Sequence, residues 1–228
     1  MNQQDNGSSD RPRSRRSPKW QFDCKELPEC SYLGQIIAGI DEVGRGALCG
    51  PVVAAAVILP QTAWSVLAKS GVRDSKKLSS ATRDRLAIEI QSLALEYQIA
   101  WADVAEIDTL NILQASLLAM QRAVNQLSIQ PDVCLVDGKQ SIPNLQVRQE
   151  NLVKGDERSL TIAAASIVAK VWRDRLMVNL ATDYPLYDLG TNKGYGTAKH
   201  LQALRLHGAS SIHRQSFASY RCSRQKGN

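Results

Sequence analysis

The sequence predicts an α/β layer fold built on a mixed sheet, and three observations carry that expectation. Two apolar runs, Ile37–Ile40 and Val52–Leu59, flank a glycine-rich loop and read as antiparallel neighbours. Val133-Cys134-Leu135-Val136 is a short, continuously apolar run, the pattern of a strand buried on both faces of a covered sheet. Stretches of helical period lie between and after these runs, so the later strands alternate with helices.

Taken in order, residues 1–19 are rich in Ser, Pro and Arg, have no apolar period, and are expected to be disordered. Residues 20–34 add Trp20, Phe22, Leu27 and Tyr32, enough to pack an irregular lead-in onto a domain. Strands are predicted at about 35–41 and 51–59, with a short helix at 62–69 and a polar loop through Gly71–Leu78. Ser79 or Ser80 is a suitable N-cap for a helix through Tyr97, whose Leu86, Ile90 and Leu93 make one apolar stripe. A strand over 98–104 leads to the clearest helix. There, Ile107, Leu110, Leu113, Leu117, Met120, Val124 and Leu127 keep helical spacing, a stripe that reports packing rather than binding. Pro131 ends it. After the 133–136 strand, residues 145–153 alternate as a further strand, and an Ala-rich helix is expected from Leu160 to about Leu180. Its small side chains (Ala163, Ala164, Ala165) would permit close approach to the sheet. A loop to Thr197, a short helix over 197–207 and a basic tail complete the chain. The expected organisation is a basic, largely disordered N-terminal extension (1–34), a main domain (35–192) and a basic C-terminal helical extension (193–228).

Composition narrows the class. A chain of 228 residues with 43% hydrophobic and 22% charged residues is an ordinary globular protein. No apolar run approaches a membrane span, and the polar N-terminus has no secretory core. Five scattered cysteines without a CxxC pair argue against structural zinc or a disulfide framework, and reduced thiols fit a cytoplasmic protein. The net charge of +6 is unevenly placed. Residues 193–228 carry seven Lys/Arg and no acid, residues 1–19 are also net basic, and the body between them is net acidic. Basic ends around an acidic centre fit a polyanion partner gripped near a metal-binding site, although basic tails also serve solubility alone.

Asp41-Glu42-Val43-Gly44-Arg45-Gly46 is the most informative stretch. Two carboxylates beside a glycine loop usually mark a solvated hairpin. Here, however, glycines bracket an arginine, an arrangement that lets backbone N–H groups approach a ligand while the guanidinium reads phosphate. Asp137 ends the 133–136 strand, and Asp156 follows the next one. Ligands bind where loops converge above strand ends, and a carboxylate ending a buried strand is costly unless it meets solvent or a cation. Four such carboxylates would suit two Mg²⁺ or Mn²⁺ ions, which prefer oxygen donors. Glu42 joins Asp41 only if the strand bends, because successive side chains alternate faces. His200, His207 and His213 have no familiar metal spacing and are expected at the surface or against phosphate.

These residues also carry a resemblance. The blocks Asp41–Gly46, Asp74–Leu78, Val136–Gly138, Lys154–Asp156, Ala163–Asp174 and Lys193–Tyr195 resemble, in order, the motif set of bacterial ribonuclease HII, the type 2 ribonuclease H family. The resemblance spans about residues 35–220. It implies a ribonuclease H-like mixed sheet flanked by helices, with a small C-terminal helical extension. It also implies a monomeric, divalent-metal endonuclease acting on RNA-DNA hybrids and cutting 5′ to ribonucleotides in duplex DNA, leaving 3′-hydroxyl and 5′-phosphate ends. By this resemblance Asp41, Glu42, Asp137 and Asp156 bind metal and catalyse. Gly44, Arg45 and Gly46 read the ribose 2′-hydroxyl, and Tyr195 packs on the neighbouring deoxyribose. The 2′-hydroxyl is the feature that separates RNA from DNA.

Ser75, Lys76 and Lys77 are candidate phosphate contacts, as are Ser166 and Lys170, which share a helical face. Asp174, one turn further, reads as an ion-pair partner of Lys170, and Cys49 as a small buried hydrophobe. Gly-Arg-Gly, and a lead-in too short and polar to be an extra substrate-binding domain, favour HII over the related HIII. A sliding-clamp partner is not readable from these motifs. Two rival readings remain: another two-metal nuclease of the same superfold, and a non-catalytic nucleic-acid-binding module. A P-loop nucleotide hydrolase is disfavoured because no Gly-Lys-[Ser/Thr] follows the glycines.

Overall fold

A computed structural model describes residues 27–73 and 75–217. The expectations placed on residues 1–26, including Trp20 and Phe22, on Asp74 and on the tail beyond 217 lie outside those residues. One five-stranded mixed sheet organises the rest, in the order β3-β2-β1-β4-β5. Its strands are β1 (Ile37–Val43), β2 (Val52–Ile58), β3 (Glu96–Ala102), β4 (Val133–Asp137) and β5 (Arg148–Leu152). β1, β2 and β3 form an antiparallel meander, while β4 and β5 run parallel to β1 on its other side. β1 is therefore where the chain's connections diverge, and a crevice opens at its C-terminal end.

Helices cover both faces. α1 (Gln61–Ser70), α2 (Ser80–Leu93) and α6 (Leu160–Asp183) pack on one side around Leu67, Leu86, Ile90, Ile162 and Ile167. On the other side α4 (Ile112–Asn125) packs Ala115, Ala119, Met120 and Ala123 against Ile40, Ala54 and Val136. Both faces being covered explains why β2 is buried at every position.

The Ala-rich start of α6 is buried as expected, but the tightest approach is made by the strand's own glycine. A Cβ at Gly39 would stand 2.2 Å from the Thr161 carbonyl carbon, so helix backbone rests directly on strand backbone there. The N-terminus of α6 is held by the lead-in. Buried Glu29 accepts hydrogen bonds from Ser159 Oγ (2.7 Å), Thr161 N (2.8 Å) and Thr161 Oγ1 (2.8 Å), while Leu27 and Tyr32 are buried in the core.

Two expectations need correction. The helix expected to run through Tyr97 ends at Leu93, and Tyr97 belongs to β3, which pairs with β2 from Glu96 onward. The continuous stripe from Ile107 to Leu127 is two helices, α3 (Val104–Leu110) and α4, broken at Asn111. Asn111 takes φ 73°, and its side chain accepts from the N–H groups of Leu113 and Gln114, which starts α4 afresh. Asp103 and Glu106 form a reciprocal capping box that starts α3.

Beyond α5 (Gly155–Arg158) and α6, a smaller unit contains α7 (Leu189–Asn192) and α8 (Ala198–His207). Its own core includes Leu48, Cys49, Met177, Tyr187, Leu189 and Leu204. Residues 208–217, after α8, are tied back to the β1–β2 connection. Cys49 and His213 form an antiparallel bridge, with Gly50 N donating to Ile212 O (2.9 Å) and Arg214 N to Leu48 O (2.9 Å). Among the described residues no helix is long and apolar enough to cross a membrane.

Candidate active site

The parallel pairing of β1 and β4 aligns Ile40 with Val136, so Asp41 and Asp137 follow side by side on adjacent strands. Neighbouring strands lie about 4.8 Å apart, and a carboxylate oxygen from each of Asp41, Glu42 and Asp137 lies within 4.8 Å of the others. Glu42 converges while β1 stays paired with β2 through Val43. Its longer side chain reaches the cluster and is held by Arg45 Nη1 at 3.1 Å. Asp137 is aimed by the Gly155 N–H, which donates to its Oδ1 at 2.7 Å. A side chain at Gly155 would press on Ile162 and on that same oxygen. Asp156, buried in α5, lies outside the triplet and contacts Lys76 Nζ at 3.3 Å.

Asp41 is 4% exposed and accepts from the Glu42 N–H at 2.7 Å. Burial, then the charges of Glu42 and Asp137, push its carboxyl well above the usual carboxylate range, with the Ser166 hydroxyl partly opposing the shift and Asp156 adding to it. Burial likewise raises Glu42, against the pull of Arg45. Carboxylates crowded until their charges resist one another are relieved by a cation, and an all-oxygen set suits Mg²⁺ or Mn²⁺. The three residues fit such ions.

The other candidates separate by burial. Ser75 and Ser166 are buried and hydrogen-bonded to each other (2.9 Å), so they link the 71–78 loop to Asp41 from behind. Lys76 and Lys77 are exposed, facing Asp156 and Glu157. Lys170 pairs with Asp174 at 2.6 Å, as its spacing suggests, and stands 5.6 Å from the Tyr195 ring centroid. Gly44 has φ 93°, and a Cβ there would meet Arg173 Nε at 2.2 Å; Arg45 and Gly46 are exposed beside it.

Sequence reading misses what fixes this loop. Arg173 and Arg214 are fully buried. Arg214 donates to the carbonyls of Arg45 (2.9 Å) and Gly50 (2.8 and 3.0 Å). Arg173 donates to those of Cys49 (3.1 Å), Pro51 (3.0 Å) and Lys193 (2.9 Å). The histidines also differ from expectation: His200 and His213 are wholly buried rather than at the surface, because α8 turns its His200, Ala203 and Leu204 side inward. Their Nε2 atoms lie 3.1 Å apart. His213 Nδ1 accepts from Ser210 N–H (3.1 Å), so its Nε2–H donates to His200, whose Nδ1–H donates to the Tyr195 carbonyl (2.9 Å). Desolvation depresses both, His213 to about 4, so both rings are neutral. Cys49 lies within 4.8 Å of this pair, a second set of possible metal ligands. However, burial raises its thiol to about 11, and the charges of Arg173 and Arg214 act directly on it. A dication there would face two buried guanidinium groups, so the histidines are a hydrogen-bonded strut.

Acidic side chains at adjacent parallel strand ends, in a mixed sheet with helices on both faces, define an α/β enzyme of the ribonuclease H class. The ribonuclease HII family matches residues 38–220, and the chain belongs to it. It is a phosphodiester hydrolase of the HII type. Ribonuclease HII of Trichormus variabilis is 58% identical over 190 residues, covering 83% of this chain and 84% of that protein. The Synechocystis enzyme is 53% identical over 181 residues, covering 79% and 95%. Among solved structures, ribonuclease H2 of Pyrococcus horikoshii is similar with TM-score 0.69 and 26% identity, covering 82% of this chain and 96% of that one. A ribonuclease HIII in complex with Mn²⁺ (TM-score 0.68, 20% identity, covering 83% and 69%) shares the fold.

Proposed function

We propose that the protein hydrolyses the RNA strand of RNA-DNA hybrids and nicks 5′ to single ribonucleotides in duplex DNA, in ribonucleotide removal and repair. The observation that carries this reading is the adjacency of the Asp41-Glu42-Asp137 cluster to the Gly44-Arg45-Gly46 turn, which begins directly where β1 ends. Asp41, Glu42 and Asp137 would hold Mg²⁺ or Mn²⁺, with Asp156 completing the acidic set. Such ions, when bound, activate an attacking water and stabilise the leaving oxygen.

The chain's own residues account for recognition. Gly44–Gly46 presents main chain, without Cβ atoms at either end, to a ribose 2′-hydroxyl. Tyr195, half-buried and backed by Lys170 and Arg173, offers a ring face to the adjacent deoxyribose. Lys76 and Lys77 lie on the same rim and suit backbone phosphates. Ser75 and Ser166, being buried, support the carboxylates and the lysine turn from beneath. The catalytic body spans about 35–192, and the basic extension from 193 braces the recognition loop.

The deciding experiment compares three otherwise identical duplexes: all DNA, one embedded ribonucleotide, and a ribonucleotide tract. Each is incubated with Mg²⁺, with Mn²⁺ and with EDTA. Metal-dependent nicking 5′ to the single ribonucleotide, with DNA untouched, is the expected outcome. Cleavage of the tract alone moves the assignment to another ribonuclease H type, and cleavage of all-DNA duplex refutes ribonucleotide recognition.

A further inference from the structure

We propose that Arg173 is a positioning residue that sets the distance between the ribose-reading loop and the Tyr195 ring, and thereby determines specificity for a ribonucleotide followed by a deoxyribonucleotide. The inference rests on the roles given above to Gly44–Gly46 and Tyr195. It begins from an unusual expenditure of buried charge. Arg173 is 0% exposed on α6, and desolvation depresses its ionisation. Burying a guanidinium is costly before its hydrogen bonds are counted. All three donors found to be engaged are spent on loop carbonyls.

Those carbonyls belong to two different loops. Nε and Nη2 hold Pro51 O and Cys49 O in the β1–β2 connection, at 3.0 and 3.1 Å, and Nη1 holds Lys193 O at 2.9 Å, two residues before Tyr195. The same guanidinium lies 5.5 Å from the Tyr195 ring centroid. Its stem fills the place a Gly44 side chain would take, so the turn is seated on it directly. Leu48 N donating to Gly194 O at 2.8 Å ties the loops together once more. A guanidinium is planar, with donors at fixed angles, so these contacts fix a distance as well as a connection. Lysine keeps the charge but is a point donor on a flexible stem. Recognition of a ribose and its neighbouring deoxyribose requires both loops in one register, and Arg173 is the group that touches both.

The test uses the full-length enzyme with Mn²⁺. Wild type and Tyr195→Ala are measured first on the single-ribonucleotide and tract duplexes. Arg173→Lys is then compared on both, with Mn²⁺ affinity followed by calorimetry. A 1 Å misplacement can cost about a hundredfold in rate, so kcat/KM at the single ribonucleotide should fall by about that factor, and by about tenfold less on the tract. Mn²⁺ affinity should be unchanged. Equal losses on both substrates, or no loss, would overturn the inference and leave Arg173 a packing residue.

Should Arg173→Lys not fold, Arg173→Gln, which keeps two side-chain donors but cannot hold both loops at once, takes its place: a larger loss at the single ribonucleotide than on the tract is expected, and equal losses or no loss overturn the inference. Failure of the functional reading is separate and is seen first, as wild-type cleavage that ignores ribonucleotides or a Tyr195→Ala enzyme unchanged on both substrates.

Discussion

Asp41 and Asp137 take their positions from the two strands that carry them, whereas the Gly44–Gly46 turn takes its position from side chains more than a hundred residues away. In the first case a parallel register and one N–H from Gly155 are enough to aim the carboxylates. In the second, Arg173 and Arg214 reach back across sequence separations of 122 to 169 residues to hold carbonyls at 45, 49, 50 and 51. Backbone pairing places the chemistry of the site, and buried side chains place its recognition turn. Damage to each should therefore look different.

The largest effect is expected for Asp41→Asn, which removes a charge from the centre of the cluster. Cleavage in a metal-supplemented assay should fall by about a thousandfold or more, with thermal melting and duplex binding largely kept. Wild-type turnover would take Asp41 out of the catalytic set. Arg214→Ala strikes the other region. Losing three buried hydrogen bonds and leaving a cavity should lower stability by roughly 2–4 kcal/mol and cleavage by about a hundredfold. Calorimetric Mn²⁺ binding should survive, since the hydrogen bonds lost go to loop carbonyls and not to the carboxylates; loss of metal binding would show that the two regions are one.

Tyr195→Ala should separate substrates, with about a tenfold loss at single ribonucleotides and less within tracts. Equal losses would refute a junction-sensing ring. Lys76→Ala should weaken binding only a few-fold and reduce the slope of log affinity against log salt by about one, read from titrations at several ionic strengths. The smallest effect concerns pH. His213 is held near 4 in the fold, below its ordinary value, so its neutral form stabilises the folded state above about pH 6.5. That contribution is lost as pH falls toward 4, and protection of the 208–217 amides against hydrogen exchange should decline over the same window, without any matching change in β1 and β4.

The same contrast governs what could be read in advance. The strands at 37–43, 52–58 and 133–137 and the long helix from Leu160 were legible because each buries a continuous or periodic apolar pattern, and the carboxylates stood out at their ends. The break at Asn111 was hidden by a stripe that runs through it unbroken; the Asp103-to-Glu106 capping box was a visible signal that a helix starts before 107. In the sequence Arg173 is one more charge beside Asp174, and nothing in its neighbours signals complete burial. For His200 a hint existed. It shares helical spacing with Ala203 and Leu204, so the apolar side of α8 includes it. His213 and Arg214 sit in a stretch without period, and only the tertiary pairing with Cys49 gives them a place.

That pairing has a consequence for when the protein becomes competent. Chains fold from the N-terminus as they are made, at about 5–20 residues per second. Both carboxylate strands have been synthesised once residue 137 is in place, yet the brace on the recognition turn waits for residue 214, roughly 4 to 15 seconds later at that rate. A nascent chain therefore contains Asp41, Glu42 and Asp137 well before it contains the arginine that braces its recognition turn.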